Sequence, residues 1–539
     1  MQSMQTFQGR CVRQVVVRTQ VLSSVLAMCL LLLSACGGRN DSGAGSDFTA
    51  GAAGASTLSL GGTVSGLVAN NPLVLVNNAD ASTALTVPGN GAFTFAQRYA
   101  NGAAYNVTVR TQPATQNCTV VNGSGTLPFT TGPRVTCLGL GKLPSGTLFA
   151  TVAAAALPAS VTVSTVAGDA SDTTHVFKGG LPSGSILSSP HFLATDGTHL
   201  YLTEGEANAI RKISLSDYST SNFLDGGVSG FADDAAGSGG AKFNDLEGIV
   251  TDGKYLYVGD MYNCAIRKIE ISTKKVTTIA GQGGICRSGT TWADGKGTDI
   301  TLGASPPPTD NTNTLFNLRA LALSDDGKTL YFGDLNLLRK LDLATGMVTT
   351  ILGRLGENGV IGNADGSFAT AFIKRIILSI AVNGNNLYML TGTLDHTLRK
   401  VDLAAQTVST LELFYAEDDG SHDQFDTDNK ALLDSIQASN PNFKPFRVRY
   451  GLSLSTSLVT DGTYIYISAL AANQVARIRA DGTDNGIPTP LVNPSQAYDY
   501  TDGLGGQAHL KYPLGITSDG KYLYLVDKWS YTVRKIAPN

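Results

Sequence analysis

Histidine and tryptophan are scarce in this chain, at six and two among 539 residues. A metal centre built on imidazoles needs several ligands converging at close range. His191, His199, His396, His422 and His509 are spread along the chain at positions that do not correspond between the repeats described below. Charge is also thin. Charged residues make up 15% of the chain and the net charge is −4, a poor footing for gripping a phosphate backbone, so no nucleic-acid partner is expected. Several catalytic signatures are missing: no Gly-x-Ser-x-Gly elbow, no Gly-rich loop ending in Lys-Ser or Lys-Thr after the required spacing, no Cys-x-x-Cys, and no Asp-x-Asp-x-Asp calcium loop closed by Glu. The chain shows no catalytic constellation, and no catalytic residue is assigned.

What the chain has is repetition. The stretch Leu246-Glu247-Gly248-Ile249-Val250-Thr251-Asp252-Gly253-Lys254-Tyr255-Leu256-Tyr257-Val258-Gly259-Asp260 recurs in variant form. Its marker tyrosine appears as Tyr201, Tyr257, Tyr331, Tyr388, Tyr466 and Tyr524, at intervals of 56, 74, 57, 78 and 58 residues. Three intervals share one period and two are lengthened by roughly 20 residues, as loops on a rigid repeat scaffold lengthen. Within a unit, Asp196-Gly197, Asp252-Gly253, Asp461-Gly462 and Asp519-Gly520 each stand between two apolar runs. That is a strong local hairpin signal. Ile266 to Ile269 and Thr277 to Ile279 supply a third and a fourth strand. Four strands per unit, six units and radial repetition predict an all-β, six-bladed propeller.

The Leu-Tyr strand followed by Ile-Arg-Lys-Ile resembles the NHL repeat family. The matching stretches are Leu200-Tyr201 with Ile210-Arg211-Lys212-Ile213, Leu330-Tyr331 with Leu338-Arg339-Lys340-Leu341, Leu387-Tyr388 with Leu398-Arg399-Lys400-Val401, and Leu523-Tyr524 with Val533-Arg534-Lys535-Ile536. The fifth unit is the weakest, reading Val475-Ala476-Arg477-Ile478. The loops at Asp294-Gly295, Asp365-Gly366 and Asp502-Gly503 match the family's blade-linking loop. The last unit lacks a fourth strand, whereas Val163-Ser164-Thr165-Val166-Ala167-Gly168 is a fourth strand without a unit. The ring is therefore expected to close through residues 161–168.

Upstream of the repeats, the sequence changes character three times. Residues 1–35 carry Arg10, Arg13 and Arg18 before an apolar stretch from Val21 to Leu33 that is short for a membrane span. The stretch ends Leu33-Ser34-Ala35-Cys36, which resembles a bacterial lipobox and implies cleavage before a lipidated Cys36. Removing three Arg and no acid takes −4 to −7. Gly37 after the cysteine, in place of Asp, favours the outer membrane by the same analogy. Residues 36–57 form a Gly/Ala/Ser-rich flexible tether. Residues 58–140 alternate as strands and resemble an immunoglobulin-like β-sandwich of bacterial surface lipoproteins, a spacer or adhesion module. Residues 141–160 read as a linker, and 161–539 as the propeller. Once Cys11, Cys29 and Cys36 are set aside, four cysteines remain. Cys118 with Cys137 and Cys264 with Cys286 is the simplest of three connectivities, and agrees with export.

A binding site is sought where inner strands begin, at one mouth of the channel. The residue five before the Asp-Gly turn is His191, Glu247, Leu378, Thr456 or Leu514, and Arg319 joins them with one extra residue allowed. His191, Glu247 and Arg319 among apolar neighbours form the candidate site. The expected function is an outer-membrane or cell-surface lipoprotein whose propeller is a scaffold for an envelope protein or glycan, with no cofactor. The alternative is a metal-dependent propeller lyase or lactonase. It would hold a Ca-type divalent cation in the channel, with Glu247 beside Asp260 or Asn263 as oxygen donors.

Overall fold

The computed structural model describes residues 57–539 apart from 69–70, 114–115, 140–157, 288–291, 304–317, 354–363, 374–375, 393–395, 417–445, 449–454, 470–471, 484–487, 494 and 496. The lipobox with Cys36, the tether up to residue 56, most of the linker, Pro306 to Pro308, His422 and the centre of the 412–450 insertion lie outside the described residues. Among those described, strands dominate, joined by turns and short 3-10 segments. No helix there is long and apolar enough to cross a membrane.

The N-terminal part is two four-stranded sheets. Leu60, Val64 and Phe93 from one sheet, and Leu73, Leu75 and Val107 from the other, enter a common core. The disulfide Cys118–Cys137 joins directly opposed residues of neighbouring strands in this core.

Six further sheets follow, each built on four antiparallel strands that are consecutive in the chain in the first five. Blade 2 is typical: Leu246–Thr251, Tyr255–Asp260, Ala265–Glu270 and Val276–Ala280. Each innermost strand packs against the innermost strands of its two neighbours, and the sixth, Pro513–Ser518, returns to the first, Pro190–Thr195. The six blades therefore form a closed ring. The sixth sheet takes its fourth strand from far upstream, where Val161–Ala167 lies antiparallel to Thr532–Pro538. Core clusters bridge adjacent blades. Tyr257 and Ile266 of blade 2, for example, pack with Leu321, Leu330 and Phe332 of blade 3.

Two polar devices explain the repeated residues. In the turn, Asp252 Oδ1 accepts from the N–H groups of Lys254 and Tyr255, and its Oδ2 accepts from the Tyr257 hydroxyl at 2.9 Å. Gly253, at φ +84°, makes the turn a backbone conformation that L side chains resist. The same Asp-to-Tyr bond recurs at Asp196–Tyr201, Asp461–Tyr466 and Asp519–Tyr524. The marker tyrosine is thus the clip that locks the hairpin in four of the six blades.

The second device is a buried arginine clamp on the third strand. Arg267 is 0% exposed. It donates to Asp260 Oδ2 at 2.6 Å, Asp233 Oδ1 at 2.8 Å, Ala232 O at 2.6 Å and Lys242 O at 3.0 Å. Asp233 lies in the loop entering the blade and also accepts from Thr278 of the fourth strand. Arg339 with Asp334 and Asp294, and Arg534 with Asp527 and Asp502, repeat the arrangement. In blade 4, Arg399 pairs with the loop's Asp365 alone and takes backbone carbonyls for the rest. The Asp-Gly loops are therefore straps that hold the outer strand of the blade they lead into. Gly295–Lys296, Gly366–Ser367 and Gly503–Leu504 pair with that strand directly.

Candidate functional site

At the start of the inner strands the ladder is interrupted. The register slips between Pro190 and Leu193, between Leu246 and Ile249, and between Pro513 and Ile516. A bulge of this kind re-aims side chains at the end of a strand. It turns His191 and Glu247, one from each of two neighbouring blades, towards each other. His191 Nδ1 and Glu247 Oε1 are 3.4 Å apart, and Arg319 Nη2 from the third blade is 3.8 Å from Glu247 Oε2. All three residues are buried. The structure therefore gathers all three residues read from the sequence.

Three more groups complete the cluster. Asp245, two residues before Glu247, adopts φ +64°, and its N–H donates to Asn208 Oδ1. Lys528, directly after the second strand of blade 6, has its Nζ 2.8 Å from His191 Nε2. Gly205 stands at the matching position of blade 1. A Cβ there would collide with Asp245 Oδ1 and the His191 ring, so the absent side chain is what leaves room for the cluster. Sequence reasoning missed Asp245 and Lys528. The available signal was position, since Gly205 and Lys528 each directly follow the acid that ends a second strand, Glu204 or Asp527.

The electrostatics are divided. Burial pushes the Asp245 carboxyl up, and the neighbouring Glu247 charge adds to this, so that it rises to about 6. Burial acts on Glu247 in the same direction but is outweighed by the charges of His191 and Arg319, which hold it at about 2. One carboxylate is thus locked as an anion and the other is poised near neutrality.

Aromatic rings stand around this polar centre. The Trp529 ring stacks on Tyr512 at 4.5 Å with 7° between planes, and Tyr498 meets Trp529 edge-on. Tyr512 feels the Arg319 charge, and Tyr262 feels those of Asp245 and Glu247. Trp529, Tyr498 and Tyr262 are 49%, 52% and 45% exposed, far more than the core aromatics. Below the cluster the six inner strands enclose a cavity of ≈ 100 Å³, whose wall includes Arg319, Thr251, Ser379 and Ser457.

The oxygen set expected around Glu247 does not form. Asp260 is 0% exposed and is committed to Arg267, Asn263 and the Asn244 N–H. Asn263 in turn donates to Asp260 and to Gly230 O. Both belong to the clamp, since Asp260 accepts from Arg267 and Asn263 donates to Asp260. Cys264, next in sequence, is joined to Cys286.

No protein-family model matches the chain. The human NHL repeat-containing protein 2 is 28% identical over 197 residues, 35% of this chain and 24% of its own length. The bovine protein of the same name is 27% identical over 181 residues, 31% of this chain and 22% of its own length. The chain spans about a quarter of the length of these curated relatives. Among solved structures, an auxiliary nutrient binding protein from Bacteroides thetaiotaomicron is 11% identical, with a TM-score of 0.42, covering 86% of this chain and 90% of that one. The protein is a β-propeller. Its repeats are of the NHL type.

Proposed function

We propose that the chain is a lipid-anchored envelope protein whose propeller binds a hydroxyl-rich ligand, an envelope glycan, at the mouth built by His191, Glu247 and Arg319. The observation that carries this reading is the pairing of a polar floor with an exposed aromatic rim. Sugar rings present apolar C–H faces that lie against Trp529 and Tyr262, and hydroxyls that a carboxylate, an imidazole and a guanidinium can bond. A few convergent polar groups in an aromatic setting are the usual composition of a small-ligand site. Lipidation at Cys36 is the anchor, and several acyl chains hold a protein where one does not. The two-sheet domain before the propeller acts as the spacer.

The test is binding of soluble glycan fragments from the bacterial envelope to the full chain, measured by calorimetry. Trp529→Ala and the double variant Glu247→Ala/Arg319→Ala should each weaken binding by about tenfold or more, as loss of an anchor residue does. Capture of an envelope protein with no measurable glycan binding would replace this ligand class. Binding unchanged in both variants would move the site away from this mouth.

A further inference from the structure

Three buried atoms at the mouth lack what burial normally demands. His191 Nδ1, Asp245 Oδ1 and Glu247 Oε2 are out of reach of solvent and have no hydrogen-bond partner. His191 and Glu247 are 3% and 6% exposed. A buried polar group left unsatisfied is costly, so each one asks for an explanation such as an ion. Ligand atoms of these three side chains all lie within 4.8 Å of one another. The 3.4 Å between His191 Nδ1 and Glu247 Oε1 is close to the spacing of about 3.3 Å between two ligand atoms that share one tetrahedral ion at roughly 2.0 Å.

We propose that His191, Asp245 and Glu247 form a binding site for one first-row divalent cation, Zn²⁺ or Mn²⁺. The site goes beyond the glycan reading and does not depend on it. One imidazole and two carboxylates match these ions, and three protein ligands leave a position open. Ca²⁺, which takes six to eight oxygens, is poorly served. Two carboxylates held this close repel, and a dication between them removes that repulsion. Lys528 is the internal competitor. Its ammonium sits on the other nitrogen of the same imidazole, so ion binding expels it. Lys528 is half-buried at the mouth and has a route into solvent. Arg319 Nη2 is 3.8 Å from Glu247 Oε2, beyond hydrogen-bond distance, so this oxygen stays open to the ion while the guanidinium charge remains nearby.

The test is calorimetric titration of the metal-stripped full chain with ZnCl₂ or MnCl₂ alone, repeated on Glu247→Gln, Asp245→Asn and Lys528→Met. The expected result is one ion per chain, an affinity at least about tenfold lower in the first two variants, and a higher affinity in Lys528→Met. Circular dichroism checks that each variant is folded. Asp245→Asn suffices if Glu247→Gln does not fold, because Asn is at ease at positive φ. No saturable binding of either ion, or binding unchanged in both ligand variants, would overturn the site.

Discussion

Buried charge occurs in two forms in this propeller, and the difference between them separates architecture from function. In the clamp of blade 2, both Nη atoms of Arg267 donate twice, at 2.6–3.0 Å, to carboxylates and carbonyls. Only its Nε is left without an acceptor, with Phe231 and Phe243 close by the guanidinium. At the mouth, equally buried side chains meet at 3.4 and 3.8 Å and leave carboxylate and imidazole atoms without hydrogen-bond partners. A closed network rigidifies what it joins. An open one keeps capacity for something else.

The largest expected effect breaks the closed network. Arg267→Met leaves Asp260 buried and unpaired, and should lower the unfolding free energy in urea by about 3–5 kcal/mol. The same measurement on Glu247→Gln should move it by no more than about 1 kcal/mol, because the mouth is not holding blades together. Equal losses would abolish the distinction. A smaller loss, about 1 kcal/mol, is expected for Tyr257→Phe, which removes the hydroxyl bonded to Asp252. Asp233→Asn should cost only a few tenths of a kcal/mol, since that carboxylate is 43% exposed and its pairing is screened.

The last effect is confined to acid. Burial would raise the Asp234 carboxyl, but donation from Gly237, Ser238, Gly239 and Gly240 outweighs it and holds the group at about 2. A folded value below the ordinary 3.8 contributes stability that is present above that pH and lost as pH falls through about 2. The melting-temperature deficit of Asp234→Asn at pH 7 should therefore shrink towards pH 2. A deficit independent of pH would remove the charge from the explanation.

Much of the closed network is legible in the sequence because it repeats. Tyr257, Asp252, Arg267 and Asp260 stand at fixed offsets, and each has counterparts in other blades. The strand Val161–Ala167 likewise carries the pattern of Val276–Ala280. The open network is legible only in part, since a binding site is where the repeats stop matching. Aligning on the Asp-Gly turn locates His191, Glu247 and Arg319, because one position in the repeat always starts an inner strand. Asp245 arrives from a loop and Lys528 from the turn after a second strand, and nothing in their spacing shows that both converge on His191. Asp260 misleads for the opposite reason. It looks available in the sequence and is fully spent in the fold.

The pairing of Val161–Ala167 with Thr532–Pro538 also dictates an order of events. Ala167 lies opposite Val533 in that ladder, so the ladder cannot form until the sixth blade has been synthesised. Until then the early strand waits as an unpaired edge, exposed to wrong partners, and so long a loop must close late and slowly. The final strand is therefore a latch. A chain truncated just before Thr532 would lose its last rung and also release a strand some 370 residues upstream.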